Sequence, residues 1–245
     1  MSKIRANSVL PARREKFAMT TADGLRLRGE LTLPDWCDPV ATLVCVHPLT
    51  TEGGSMESHV FRKLSWRLPA LTGLAVMRFN LRGAGEGADR SEGEFDFCGG
   101  EGLDLGAALA WVSRRELPEP WLVGWSFGTD VILKHGDRDP VEGAILLSPP
   151  VRFTEDSDLQ RWARSGRRMV VLVPEFDDYL RPDAARERFA PVPQAELIPV
   201  AEAGHLWVGE RAVREVLDEV ARVVTPAAHP LATEWDGPMV RWSDL

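Results

Sequence analysis

The apolar positions of this chain follow two patterns, one alternating and one continuous. Residues 15–33 alternate apolar and polar side chains on both sides of a turn at residues 22–24, which predicts an antiparallel hairpin near a sheet edge. Further along, apolar residues form short unbroken runs, which are typical of strands buried on both faces of a parallel sheet. These runs cover residues 41–46, 74–79, 121–123, 141–147, 169–173 and 195–200.

Helical periodicity fills the intervals between these runs. Residues His59–Leu68 and Gly102–Val112 carry apolar side chains at helical spacing, a further helix is predicted to begin at Ser126, and the last covers Arg211–Val224. Strands and helices therefore alternate, which indicates the α/β class. We predict a mostly parallel, twisted sheet of about eight strands, with an antiparallel N-terminal hairpin and helices on both faces.

The chain divides into three segments on these criteria. Residues 1–14 look like a polar arm, residues 15–225 form one α/β domain, and residues 226–245 form a tail with three prolines, Trp235 and Trp242. A length of 245 residues fits a single domain of this class. The tail has two roles open to it, packing on the domain or forming a homodimer contact.

Composition and charge argue against several classes of protein. The net charge of −8 argues against a nucleic-acid-binding protein, which usually carries a basic face. Cys37, Cys45 and Cys98 form no CxxC pair, so reduced thiols are expected, without a zinc site or a disulfide framework. The N-terminus lacks an apolar signal region, and no apolar run approaches the roughly 18 residues of a membrane span. We therefore expect a cytoplasmic protein that does not bind membranes.

The most informative motif is Gly124-Trp125-Ser126-Phe127-Gly128, which has the form GxSxG. It follows a predicted buried strand and precedes a predicted helix, which is the context of a nucleophile elbow. In such a turn the glycines allow neighbouring backbone to approach closely, and the serine hydroxyl is presented at the sheet edge. Ser126 is therefore the candidate nucleophile, and the alternative is a buried serine in an ordinary glycine-flanked turn.

A serine hydroxyl needs a base, and the sequence offers one at the same edge of the sheet. His205 follows the last predicted strand, so it is expected beside Ser126 at the carboxyl ends of the strands. The acid that orients this histidine is expected between the two in chain order. Three carboxylates after the preceding strand compete for this role: Asp177, which we favour, then Asp178, then Glu175.

Acyl transfer also needs hydrogen-bond donors for the negative charge on the carbonyl oxygen. One is expected to be the backbone N–H of Phe127, and the other comes from the loop after the third strand. Pro48 has no N–H, so Leu49 is the first usable donor in that loop. His47, at the end of the strand, is interpreted as a brace for the loop and not as a base.

With these residues the chain resembles the α/β-hydrolase superfamily, and within it a small bacterial branch with dienelactone-hydrolase-like and serine-aminopeptidase-like members. The resemblance covers about residues 17–224 and is carried by HPLTTEGGSMESHV, LAVMRFNLRGAGEG, SEGEFD, GWSFG, PEFDD and EAGHLW. It implies the α/β-hydrolase fold, no cofactor, and functional roles at Ser126, Asp177, His205, Leu49 and Phe127. It also implies a structural role for Arg82, which ties loops together after the fourth strand, with anion binding as the alternative. Pro174 departs from the glycine that the family usually has before the acid.

These features predict a serine hydrolase, most similar to carboxylesterases, that cleaves a small or medium acyl ester, thioester or amide. Trp125, Tyr179 and Trp207 flank the catalytic candidates in sequence and are expected to line an apolar acyl pocket, although some could belong to the core. The segment 148–167 is too short for a large lid. The alternatives are a non-catalytic binding protein of this fold, or an acyltransferase or peptidase with the same triad.

Overall fold

An eight-stranded sheet forms the centre of the molecule. The computed structural model describes residues 1–244. In chain order the strands are β1 (Arg13–Thr20), β2 (Arg26–Leu33), β3 (Thr42–Val46), β4 (Ala75–Phe79), β5 (Pro120–Trp125), β6 (Gly143–Leu147), β7 (Arg168–Phe176) and β8 (Ala195–Gly204). They lie side by side in the order β1-β2-β4-β3-β5-β6-β7-β8. Because only the β1–β2 and β2–β4 pairs of this sheet are antiparallel, the predicted hairpin and mostly parallel sheet are confirmed.

Helices cover both faces of this sheet, as predicted. They are α1 (His59–Thr72), α2 (Glu101–Arg114), α3 (Phe127–His135), α4 (Asp156–Ser165), α5 (Pro182–Phe189) and α6 (Glu210–Val224). Helices α1 and α6 bury their apolar residues in one cluster, whereas the other four helices pack into a second cluster on the opposite face. Within residues 1–244, no helix combines the length and the hydropathy that crossing a membrane requires.

Strand β3 explains why the apolar runs are continuous. Leu43 and Cys45 belong to the cluster under α1 and α6, whereas Val44 and Val46 belong to the opposite cluster. Because successive side chains of a strand point to opposite faces, a strand covered on both sides needs an apolar residue at nearly every position. All residues of β3 and of its sheet neighbours β4 and β5 are buried accordingly.

Two elements go beyond what the pattern predicts. Helix α4 lies in the short segment before β7. Its only large apolar residues are Leu159 and Trp162, and a capping box between Glu155 and Asp158 begins the helix. Strand β8 continues past its apolar run to Gly204, with a shift in register against β7. This extension carries the chain to the carboxyl edge of the sheet, where the next residue is His205.

The two terminal segments pair with each other. Two short antiparallel pairings join them, between Ser2–Lys3 and Glu234–Trp235 and between Ser8–Val9 and Val240–Arg241. Val9 and Leu10 are buried, and the Leu10 N–H donates to the carbonyl of Trp66 in α1 at 2.9 Å. The first residues of the chain are thus tied to the tail and to α1. The domain boundaries at residues 14 and 225 stay predictions.

A buried ion pair fixes the glycine-rich turn after β4. The Arg82 guanidinium donates to the Asp104 carboxylate of α2 at 2.8 and 3.1 Å, and the Arg82 N–H donates to the same carboxylate at 2.8 Å. Asp23, in the turn of the β1–β2 hairpin, approaches the guanidinium to 3.1 Å. Arg82 therefore ties three parts of the chain together, which agrees with the structural interpretation of this residue.

We expect Asp104→Ala to lower the free energy of unfolding by about 3 kcal/mol, because it leaves the Arg82 charge buried without its main partner. The exposed Lys16–Asp89 pair has the same N–O distance of 2.8 Å, so Asp89→Ala is a matched control. That variant should cost less than about 1 kcal/mol, because solvent screens an exposed pair. Urea denaturation measures both values, and equal losses would contradict the structural role of Arg82.

Candidate active site

Ser126 makes the whole connection between β5 and α3. β5 ends at Trp125 and α3 begins at Phe127. The Ser126 backbone has φ +52° and ψ −123°, a strained conformation for a residue with a side chain, which costs on the order of 1–3 kcal/mol. The Ser126 N–H donates to the carbonyl of Leu147 at the end of β6 at 2.9 Å. This turn is the predicted elbow, and it leaves the serine side chain partly exposed at the sheet edge.

Packing requires the two glycines of the motif. A Cβ atom on Gly128 would lie 2.0 Å from the carbonyl oxygen of Val46 in β3, and one on Gly124 would lie 2.7 Å from Ile132 and 2.9 Å from the Gly128 backbone. The first turn of α3 therefore lies directly against the end of β3. Any larger residue at position 128 would push the helix and Ser126 away from this edge.

Three side chains from distant parts of the chain form a hydrogen-bonded relay at this edge. The His205 Nε2 atom lies 2.8 Å from the Ser126 Oγ, and the His205 Nδ1 atom lies 2.9 Å from an Asp177 carboxylate oxygen. Since a carboxylate only accepts, Nδ1 carries the proton and donates to Asp177, which leaves Nε2 free to accept the serine O–H. His205 and Asp177 are both buried, with exposed fractions of 7% and 2%.

Of the three candidate carboxylates, Asp177 is the one that is hydrogen-bonded to His205. Its second oxygen accepts the backbone N–H groups of Tyr179 at 2.9 Å and Leu180 at 3.1 Å, so both oxygens are engaged. Burial alone would raise the pKa of Asp177, but these bonds and the His205 ring outweigh burial and lower it. Asp177 is therefore ionised at neutral pH. Asp178 is exposed, and Glu175 instead accepts the Glu202 N–H at 2.9 Å.

The loop after β3 is held by a buried histidine. The His47 Nδ1 atom lies 2.6 Å from the Pro48 carbonyl oxygen, and its Nε2 atom accepts the Leu81 N–H at 3.0 Å. Because a carbonyl only accepts, His47 is neutral with its proton on Nδ1. Burial lowers the pKa of His47 to about 4, although the Pro48 carbonyl acts in the opposite direction. His47 thus braces the loop that brings Leu49 to the site, as the sequence suggested.

A cavity of about 260 Å³ opens beside the relay. Leu49 and Phe127 line it together with Ser126 and His205. Phe127 is the first residue of α3, so its N–H belongs to the group of helix N–H donors without an intrahelical acceptor. Within residues 1–244, no group of three or more His, Cys, Asp or Glu side chains is arranged to hold a metal ion.

The three aromatic residues expected in the pocket have different positions. Tyr179 lines the cavity, is 56% exposed, and packs edge-on against the His205 ring at 4.5 Å. Trp125 lines the cavity with a largely buried side chain that also joins the core cluster under α1 and α6. Trp207 does not fit the expectation, because its side chain is 0% exposed within that cluster. The left-handed backbone of Trp207, with φ +51°, accompanies this inward direction.

Sequence comparison relates about half of this chain to a curated protein. No protein-family model matches the chain. An uncharacterized protein of Rickettsia prowazekii is 32% identical over 123 residues, which cover 49% of this chain and 49% of that protein. The chain thus matches about half the length of this curated relative.

Two solved structures have the same architecture. A Xanthomonas campestris protein described as an α/β serine hydrolase without a lid has a TM-score of 0.72 and 26% identity, over 91% of this chain and 99% of that chain. An esterase of Pyrococcus furiosus has a TM-score of 0.71 and 18% identity, over 86% and 90% of the two chains. The chain belongs to the α/β-hydrolase superfamily. These similarities support a hydrolase.

In this α/β hydrolase, part of the cavity wall comes from residues that the sequence does not single out. Arg152 and Phe153 line the cavity, and their backbone N–H groups donate to the buried Asp130 carboxylate of α3 at 3.3 and 3.1 Å. The Thr154 hydroxyl donates to the same carboxylate at 2.5 Å. The sequence does contain one signal for this wall, namely the carboxylate of Asp130 on the otherwise apolar helix α3. A buried carboxylate needs hydrogen-bond donors, so a loop that supplies them is expected nearby. The ring of Phe153 packs edge-on against Phe127 at 5.7 Å.

The buried His47 predicts a pH dependence of stability. The pKa of His47 in the folded protein, about 4, lies below the ordinary value of about 6.5. The contribution of neutral His47 to the free energy of unfolding is therefore complete above about pH 6.5 and is lost as the pH falls toward 4. Over that window the unfolded chain binds one more proton at this residue, and the contribution falls by about 1.4 kcal/mol per pH unit. His47→Asn should remove this slope. Urea denaturation between pH 7 and about pH 4 measures it, and identical slopes in the two proteins would contradict the assignment.

Proposed function

We propose that this α/β hydrolase is a serine esterase that cleaves small or medium acyl esters through an acyl-enzyme. The relay from Ser126 through His205 to Asp177, with hydrogen-bond distances of 2.8 and 2.9 Å, is the observation that carries the proposal. A serine is a weak nucleophile unless a base is within hydrogen-bond reach and a third group orients that base. Both requirements are met by groups at the same sheet edge.

The first half-reaction forms the acyl-enzyme. The Ser126 Oγ attacks the ester carbonyl carbon while the His205 Nε2 takes the serine proton, and the carbonyl oxygen becomes an oxyanion. The ionised Asp177 stabilises the resulting imidazolium through Nδ1. The imidazolium then gives its proton to the departing alcohol oxygen, and the carbon–oxygen bond to the alcohol breaks. The acyl group remains as an ester on Ser126.

The backbone N–H groups of Leu49 and Phe127 are proposed to stabilise the oxyanion. Both residues line the cavity beside Ser126, and Phe127 lies at the N-terminus of α3, where the helix dipole favours negative charge. His47 supports this role because it fixes the loop before Leu49. In the second half-reaction, water attacks the acyl carbon under general-base catalysis by His205, and a second tetrahedral oxyanion forms in the same place.

The cavity supports small substrates with an apolar acyl group. Its volume of about 260 Å³ lies just below the roughly 300–1,000 Å³ of typical drug-sized ligand sites. Four aromatic side chains contribute to the wall, namely Trp125, Phe127, Phe153 and Tyr179. The names of the structural neighbours, an esterase and a serine hydrolase without a lid, point the same way. The short segment before β7 also leaves the mouth open to small substrates.

We expect Ser126→Ala to lower the turnover of p-nitrophenyl butyrate at least about a thousandfold, since no other group can form the acyl-enzyme. The same variant should lose labelling by a fluorophosphonate probe. Ser113→Ala, which removes an exposed hydroxyl on α2, is the control and should keep full activity and labelling. Full esterase activity in the Ser126 variant would end the proposal.

The pair Asp177→Asn and Asp178→Asn tests the assignment of the acid. In Asp177→Asn the neutral amide cannot stabilise the imidazolium and favours the wrong tautomer of His205, so kcat should fall about a thousandfold or more. Asp178 is exposed and should be replaceable with a change of less than about threefold. Steady-state kinetics with p-nitrophenyl acetate and butyrate give both values. A larger loss at residue 178 than at residue 177 would reverse the assignment.

A further inference from the structure

Two buried side chains donate hydrogen bonds to the backbone carbonyl of His205. The Trp125 indole N–H lies 3.1 Å from this oxygen, and the Ser148 hydroxyl lies 3.2 Å from it. Trp125 is 3% exposed and Ser148 is fully buried. A carbonyl oxygen has two lone pairs, so both can be occupied here by side chains from elements other than the one that carries His205. We call Trp125 and Ser148 the carbonyl clamp.

The carbonyl clamp connects the base to the same two strands that hold the nucleophile. Trp125 is the last residue of β5 and directly precedes Ser126. Ser148 directly follows Leu147 of β6, whose carbonyl accepts the Ser126 N–H at 2.9 Å. Trp125 is therefore adjacent to Ser126 in the chain, and Ser148 is adjacent to the residue whose carbonyl accepts the Ser126 N–H. Two hydrogen bonds, one from Trp125 and one from Ser148, thus link the backbone of His205 to the strand ends that hold Ser126.

The backbone of Ser148 indicates that its hydroxyl is needed. Ser148 has φ +50°, in the left-handed region where glycine is favoured and other residues are strained. If this position served packing alone, glycine would relieve the strain without loss. A serine in this conformation gains from its side chain only through the hydroxyl, which donates to the His205 carbonyl.

We propose that Trp125 and Ser148 are positioning residues for the reaction, and that they hold His205 in register with Ser126 by clamping its carbonyl. The inference rests on the proposed function, in which His205 is the base. His59 also supports the loop after β8 that carries His205. Its Nε2 atom lies 3.2 Å from the Trp207 carbonyl oxygen, and its ring packs edge-on against Trp125 with the ring centres 5.2 Å apart. The clamp acts on the rate, because small displacements of a base slow proton transfer steeply.

The test uses Ser148→Ala, Ser148→Gly, Trp125→Phe and the double variant Trp125→Phe/Ser148→Ala. Each single variant leaves one donor, so kcat for p-nitrophenyl butyrate should fall about three- to tenfold. The double variant leaves the buried carbonyl unpaired, and its loss should exceed the product of the single losses. KM should stay within about twofold for the Ser148 variants, because Ser148 does not line the cavity. Ser148→Gly should lose kcat although it relieves backbone strain.

A second measurement reports on the imidazole itself. In full-length protein labelled with ¹⁵N-histidine, the Nδ1 proton of His205 gives a low-field NMR signal because it is buried and donates to Asp177. The double variant should broaden or shift this signal as the ring loses its fixed position. This readout needs no substrate, so it tests the clamp even if the chain does not hydrolyse esters, an outcome that wild-type kinetics and Ser126 labelling would reveal separately.

A matched control removes the same chemistry elsewhere. Ser65 and Trp162 are fully buried, and they donate to the backbone carbonyls of Arg62 at 2.9 Å and Leu133 at 3.1 Å. Ser65→Ala/Trp162→Phe should lower the melting temperature while kcat and the Nδ1 signal stay unchanged. An unchanged kcat and an unchanged Nδ1 signal in the Trp125/Ser148 double variant would overturn the clamp. So would an equal loss of kcat in the control.

Discussion

The close approach of helix α3 to strand β3 is the constraint on which the site depends. Gly128 leaves no room for a Cβ atom against the Val46 carbonyl, so the first turn of the helix sits at the end of this strand. Because His47 and Pro48 follow Val46 directly, the same contact brings the loop of Leu49 next to the turn that presents Ser126. This one glycine therefore affects both the position of Ser126 and the loop that lies beside it. The strained backbone of Ser126 is tolerated because both neighbouring elements are fixed independently.

Buried polar groups then hold the loops at this edge. Each of these groups forms hydrogen bonds with loop residues, and these bonds also pair the buried charge or ring nitrogen of the group itself. His47 joins the loop after β3 to Leu81, two residues after β4, and Asp104 fixes the turn beyond it through Arg82. Asp130, one turn along α3 from Ser126, holds the wall segment of Arg152 and Phe153. The helix that follows Ser126 thus also positions part of the cavity wall.

The central strands and the turn at Ser126 could be predicted because their signals are local in the sequence. The continuous apolar runs predict the central strands, since a doubly covered strand has no polar face, and the glycines around Ser126 predict the elbow. Asp177 could only be ranked above Asp178, because the choice depends on how the turn after β7 directs each side chain. Trp207 is misplaced for the same reason, since nearness to His205 along the chain says nothing about direction. The bond between Ser148 and His205 joins residues 57 positions apart, and no local pattern encodes it.

Left-handed backbone occurs at three residues that belong to the relay or lie next to residues of it. Ser126, Ser148 and Trp207 have φ values of +52°, +50° and +51°, and all lie at the carboxyl edge of the sheet. Such conformations persist only where surrounding contacts over-determine them. At Ser126 and Ser148 those contacts include hydrogen bonds from the backbone N–H groups to the carbonyls of Leu147 and Leu172 on the neighbouring strands, so the parallel sheet supports the strain. A site of this kind relies on a rigid sheet edge, and its substrate range depends on the few side chains, such as Phe153 and Tyr179, that the loops add to it.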